Sequence, residues 1–277
     1  MTHQNMTTFS SIGDVMNEKL RETDEICPIH NCKLITAFGR EPICMQCGQE
    51  EKVKQEKEMT DRISNEYYKR NTYKWLSKHS IFLDETLKHA TFEAYKTDDT
   101  ETIGNKETAL KIAREYYQGA TYNTIFTGKA GTGKSHLSMS MLKVVNEYSK
   151  PYRKCLFVSI DELMRRIKDS FNNKESYYTE QRMIDLLTEA DLLVLDDLGA
   201  ETGAITSEKA ATDFTTRTLY AIINGRTNKP TIITTNLNSK DMAKKYDSKL
   251  ISRMFRGADG HVIKFEKTND KRRTIEF

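Results

Sequence analysis

Apolar residues recur along this chain in two rhythms that alternate from about residue 120 onward. Short continuous apolar runs at 123–127, 154–159, 192–197 and 230–234 predict strands buried on both faces. Between them, residues 136–148 carry Leu137, Met141, Val144, Val145 and Tyr148 at helical spacing, and 160–171, 178–190 and 207–224 predict further helices. Strands alternating with helices imply an α/β fold with a parallel sheet flanked by helices. Upstream the pattern changes. Residues 80–96 carry Ile81, Phe82, Leu83, Leu87, Phe92 and Tyr95 and lead into the α/β domain, while 97–102 predict a polar turn. Residues 49 to about 78 predict a highly charged helix. Its aromatics, Tyr67, Tyr68, Tyr73 and Trp75, suit packing against a neighbouring domain better than base stacking.

A length of 277 residues leaves room for one sizeable core and a smaller module. With 37% hydrophobic and 30% charged residues, the chain has no apolar run that could span a membrane. Residues 1–17 are polar and lack the apolar stretch of a secretory signal, so a cytoplasmic location without membrane partners is expected. The 43 basic residues nearly balance 40 acidic ones, so any nucleic-acid contact must come from a local patch.

The candidate chemistry begins directly after the first strand. Gly128, Lys129, Ala130, Gly131, Thr132, Gly133, Lys134 and Ser135 match the P-loop pattern GxxxxGKS, with His136 opening the helix behind it. Glycines let successive N–H groups wrap a phosphate at a helix N-terminus, where the partial charge favours anions. Lys134 is expected to reach the β- and γ-phosphates of ATP, and Ser135 to ligate Mg²⁺. The run 192–197 ends in Asp196 and Asp197, a Walker B pattern. Asp196 is the expected Mg²⁺ ligand, and Asp197 the residue that orients or deprotonates the attacking water.

Four of the five cysteines cluster near the start, as Cys27-Pro-Ile-His30-Asn-Cys32 and Cys44-Met-Gln-Cys47. In a reducing compartment this spacing reads as a structural zinc site. Cys27, His30, Cys44 and Cys47 are the expected ligands, with a short hairpin at 33–41 between the knuckles. Cys32 rivals His30 for the fourth position. The expected domains are a zinc-binding module at 1–50, a helical linker at 51–90 and an ATPase at 91–277.

From about Phe92 to the end, the chain resembles an AAA+ P-loop ATPase, and more narrowly a bacterial replicative helicase loader of the DnaC/DnaI type. The resemblance rests on Leu195-Asp-Asp-Leu-Gly-Ala-Glu201, on Thr234-Thr-Asn-Leu237 and on Ile251-Ser-Arg-Met254. It implies Asn236 as the γ-phosphate sensor and Arg253 as a finger given in trans, hence self-association through the ATPase domain. The segment 270–273 resembles the second sensor, with the choice between Arg272 and Arg273 open. The cysteine-rich head and its linker also resemble the zinc-bearing N-terminal domains of such loaders. The partners this implies are a replicative helicase and single-stranded DNA. For DNA contact the sequence offers Arg165, Arg166 and Lys168, although a solvated basic face is the simpler reading of those residues. A transposition helper ATPase of the IstB type shares the ATPase core and is the alternative. A small-molecule phosphotransferase would need neither an arginine finger nor a zinc module.

Overall fold

The computed structural model describes residues 20–37, 40–202 and 210–271. The chain divides into two units, Met1–Glu66 and Tyr67–Phe277.

In the first unit, β1 (Leu20–Ile26) and β2 (Lys33–Ala37) pair antiparallel, and Ile35 exchanges two backbone hydrogen bonds with Ile43. The hairpin expected at 33–41 is thus one part of a larger meander that also recruits β1. Helix α1 (Met45–Tyr68) starts inside the second cysteine knuckle, and none of its side chains is buried.

The second unit is built on a five-stranded parallel sheet of β3 (Thr124–Gly128), β4 (Cys155–Ser159), β5 (Leu192–Leu198), β6 (Thr231–Thr235) and β7 (Val262–Phe265). Their order is β4-β5-β6-β3-β7. Alternation along the strands sends side chains into two separate cores. Ile125, Leu193, Leu195 and Ile233 face one way, against α5 (Ile160–Asp169), α6 (Glu180–Glu189) and α7 (Asp213–Gly225). Phe126, Leu192, Val194 and Ile232 face the other, against α3 (Thr100–Gln118) and α4 (Lys134–Tyr148). Two short helices, α8 (Ser239–Lys245) and α9 (Ser248–Met254), follow β6.

Three sequence expectations differ from this arrangement. The charged stretch is helical to about residue 78 as expected, as α1 to Tyr68, a π-helical turn at Lys69–Tyr73 and the short helix α2 (Trp75–His79), but residues 67–90 of the linker expected at 51–90 belong to the second unit. There Leu76, Ile81, Phe82 and Ala90 are buried, and Ile81 bridges to Val158 beside β4. Apolar burial, not charge content, sets the boundary. The polar turn expected at 97–102 instead starts α3. Asp99 accepts from the Thr102 N–H and the Thr102 side chain answers the Asp99 N–H, a capping box, so these polar residues satisfy the helix end. The helix expected from residue 207 runs from Asp213, with Thr212 as its cap, and residues 203–209 lie outside the described ones.

Candidate functional site

A cavity of about 330 Å³ opens at the carboxyl end of β3, lined by Ala130, Gly131, Gly133, Lys134, Ser135, His136, Asp197, Thr234 and Asn236, with Tyr95 and Lys271 on its wall. Its position follows from strand order. Strand β6 lies between β3 and β5, so Asn236 emerges between the phosphate loop and the acidic pair. Gly131 and Gly133 hold φ of +76° and +98°, left-handed values that bend the loop around the space in front of α4. A Cβ on Gly133 would lie 2.7 Å from the Tyr95 ring, so that close approach also requires glycine.

Lys134 is buried, and its ammonium donates to the carbonyls of Gly128 (2.8 Å) and Lys129 (2.6 Å) and to Asn236 Oδ1 (2.7 Å). The other end of the same amide donates from Nδ2 to Asp197 Oδ1 at 2.7 Å. One asparagine therefore ties the phosphate-loop lysine to the second acid. The first acid, Asp196, lies deeper and accepts from the Thr234 hydroxyl at 2.7 Å, with the Ser135 hydroxyl close enough to act on its charge, so the two expected Mg²⁺ ligands are adjacent. Burial pushes the Asp196 carboxyl up to about 6, while the Ser135 and Thr234 hydroxyls and Lys134 pull it back. Thr132 turns inward onto the Lys129 carbonyl at 2.9 Å, and His136 Nε2 lies 2.8 Å from the Thr91 carbonyl oxygen, buttressing the loop from behind.

The C-terminal segment closes over the loop. The Lys271 N–H donates to Gly131 O at 3.0 Å, its ammonium sits 4.1 Å from the Tyr95 ring centroid, and the Asp270 carboxylate occupies the space a Cβ on Gly131 would need. Arg272 and Arg273 lie outside the described residues. Tyr95, Thr234 and Lys271 are wall residues for which no role was expected, although Thr234 and Lys271 fall within the two segments that resemble sensors and Tyr95 within the apolar spacing of 80–96.

Arg253 does not line this cavity. Its guanidinium stacks on Tyr220 at 4.7 Å and its Nε donates to Asn224 Oδ1 at 2.9 Å. Of the basic trio on α5, Arg165 pairs with Glu162 and Asp169, and Arg166 pairs with Glu162 and donates to the Tyr178 hydroxyl. Both arginines are therefore engaged within the chain.

In the first unit, the ligand atoms of Cys27, His30, Cys44 and Cys47 lie within 4.8 Å of one another. Zinc bonds of about 2.3 Å to sulfur and 2.0–2.1 Å to nitrogen place tetrahedral S···S edges near 3.8 Å and S···N edges near 3.6 Å. Here Cys27 and Cys47 sulfurs are 3.6 Å apart, and His30 Nδ1 is 3.9, 3.6 and 3.3 Å from the sulfurs of Cys27, Cys44 and Cys47. The N–H groups of His30 and Cys47 each point at the sulfur three residues earlier, at 3.4 Å. Such bonds favour thiolate, and the Cys47 N–H does most to bring the Cys44 thiol down to about 6. Glu50 meets His30 Nε2 at 3.1 Å, leaving Nδ1 turned toward the sulfurs. Cys32 Sγ lies 3.4 Å from Cys44 Sγ, outside this cluster of four. The donor set fits a tetrahedral zinc ion.

The sequence pattern of the IstB-like ATP binding proteins matches residues 32–257, most of the chain and all of the cavity's phosphate loop and acids. The chain belongs to that family. Among curated relatives, the replicative helicase loader DnaC of Escherichia coli (strain K12) is 29% identical over 180 residues, covering 63% of this chain. The match spans 66% of that DnaC, a little under two thirds of its length. The same fold occurs in the DnaI structure, which is 21% identical with a TM-score of 0.51, covering 68% of this chain and 95% of that one. It occurs also in AMPPCP-bound DnaA from Aquifex aeolicus, 20% identical with a TM-score of 0.50, covering 69% of this chain and 54% of that one. As an IstB-like family member, this chain is an ATP-binding protein of AAA+ architecture. Among the described residues, no helix is long and apolar enough to cross a membrane.

Proposed function

We propose that this IstB-like protein hydrolyses ATP and uses the cycle to load a replicative DNA helicase onto single-stranded DNA. The observation that carries the reading is the convergence of Lys134, Asn236 and Asp197 on one cavity, with Ser135 and Asp196 adjacent behind it. That arrangement supplies a cation for the phosphates, two oxygen ligands for Mg²⁺ and a carboxylate for water. Bound Mg²⁺ would neutralise charge on the phosphates. Asp197 would hold the attacking water, and Asn236 would register the terminal phosphate by turning its Nδ2 donor, which here meets Asp197, toward a phosphate oxygen while its Oδ1 still accepts from Lys134. Arg253, outside its own cavity, is assigned to a neighbouring protomer's nucleotide, with Arg272 or Arg273 as a second sensor on its own.

The head, with zinc held by Cys27, His30, Cys44 and Cys47, is assigned to gripping the helicase. Relatedness to DnaC and the presence of this head favour loading over transposition help, the alternative suggested by the family's name. The test uses the whole chain as bait in a replication extract from its source cell, with ATP and without. Recovery of a replicative helicase supports loading, and recovery of a transposase instead overturns it.

A further inference from the structure

Two successive acids at a strand end cannot both serve one site from a regular strand, because neighbouring side chains point to opposite faces. Strand β5 solves this with a break in register. It pairs in step with β6 from Leu193↔Thr231 to Leu195↔Ile233 and resumes at Leu198↔Thr235. Three steps along β5 thus match two along β6, and the surplus residue falls at Asp196–Asp197, a bulge. Asp197 takes φ of +58°, one of two non-glycine residues in the left-handed region among the described ones. There its N–H bonds to a side chain instead of a strand carbonyl.

Thr234 Oγ1 closes that gap. It accepts the Asp197 N–H at 2.8 Å and donates its own proton to Asp196 Oδ1 at 2.7 Å. The residue is 1% exposed, so no bulk water stands ready to replace it. A hydroxyl both donates and accepts from a single atom, which a methyl of the same size cannot do. Next along β6, the Thr235 hydroxyl donates to Leu198 O at 2.7 Å, so side chains of β6 pin the bulge on both sides.

We infer that Thr234 is a positioning residue for ATP hydrolysis: its hydroxyl, bridging the Asp196 carboxylate and the Asp197 amide, holds the bulge that turns Asp197 into the phosphate cavity. The inference rests on the ATPase reading of the site. Thr234 acts through the two acids and not on the phosphoryl group. Its loss therefore slows turnover and leaves nucleotide affinity in place, because Lys134 and the glycine loop bind the phosphates without it.

The experiment measures kcat, KM for ATP and equilibrium binding of a fluorescent ATP analogue for the full chain and for Thr234→Ser, Thr234→Cys and Thr234→Val, with Lys134→Ala alongside. Thr234→Ser keeps the hydroxyl and should stay within about threefold of wild-type turnover. Thr234→Val takes one donor from the buried Asp196 carboxylate and leaves the Asp197 N–H without its acceptor, and should lose about 10- to 100-fold in kcat, with KM and analogue affinity nearly unchanged. Wild-type kcat in Thr234→Val overturns the inference. So does a parallel loss of affinity and turnover, which is what general damage to the site would give. Should the valine variant fail to fold, the other pair decides. Serine near wild type with cysteine roughly tenfold lower supports the hydroxyl's role, and equal activity of the two overturns it. If wild type and Lys134→Ala hydrolyse ATP alike, the fault lies with the ATPase reading instead.

Discussion

The Lys134 ammonium and the Asn236 side-chain oxygen are 2.7 Å apart, and the same lysine is held by two carbonyls of its own loop. Three of its hydrogen bonds thus go to neutral acceptors. A triphosphate replaces them with charged ones, which make hydrogen bonds about twice as strong. Lys134→Ala should weaken ATP binding by roughly 10- to 100-fold, from the loss of a charged hydrogen bond. Titration with a fluorescent analogue checks this, and a thermal melt close to wild type shows that the fold survives.

Asp196 predicts an unusual pH dependence of stability. Burial raises its carboxyl from the ordinary 3.8 to about 6 in the folded protein, so the native state holds that proton more tightly than the unfolded chain. The stability this gives is present below about pH 4 and is lost as pH rises through about 6. Asp196→Asn removes the buried charge and should stabilise the nucleotide-free protein near neutral pH by about 1–3 kcal/mol. It should also abolish the extra stabilisation that Mg²⁺ adds to ATP. Denaturant unfolding at two pH values, with and without MgATP, reads both effects.

The head should hold one zinc per chain, measurable by metal analysis. His30→Ala should lower zinc affinity at least ~10-fold, and Cys32→Ser should lower it less, since Cys32 stands outside the cluster of four. The reverse ranking would move the fourth ligand to Cys32. The sole tryptophan, Trp75, packs on the core of the second unit, so its fluorescence reports that unit alone. A chelator should leave this signal and nucleotide binding intact while circular dichroism records change in the head.

Arg253 stacks on Tyr220 and lies outside the lining of its own cavity, so a finger role requires a neighbour. Arg253→Ala should bind ATP normally and lose hydrolysis, by as much as ~10³-fold. Mixing it with Lys134→Ala should restore part of the activity, because one mutant supplies the finger and the other the nucleotide site. A mixture no better than its components, under conditions where wild type self-associates, would argue against action in trans.

What the sequence made legible was local. The phosphate loop, the acidic strand end and Asn236 are each specified by residues within a few positions of one another, and the cysteine spacing brings its own ligands together. Placement across the sheet was not legible. Nothing in Thr234-Thr-Asn says that the first hydroxyl fills a register break in another strand, because a bulge depends on the pairing of two segments 38 residues apart. Lys271 reaches the phosphate loop only through the fold. Helix α3 is a different case. Ala109, Ile112, Ala113 and Tyr116 carry helical spacing, but small and aromatic residues among many polar ones made a weak apolar signal. The boundary near residue 67 was hidden because charge continues past it while burial changes.

None of the side chains of the 24-residue helix α1 is buried, and an isolated helix of that length in water is held back mainly by the cost of its first turn. Cys47 lies in that first turn, and its N–H is already directed at Cys44. A metal ion gripping both sulfurs would therefore supply the nucleus from which the remaining turns propagate, over about 36 Å at 1.5 Å per residue. Metal status would then set the stiffness of the arm that follows the head: a rod when charged with the ion, and a slack tether when stripped of it.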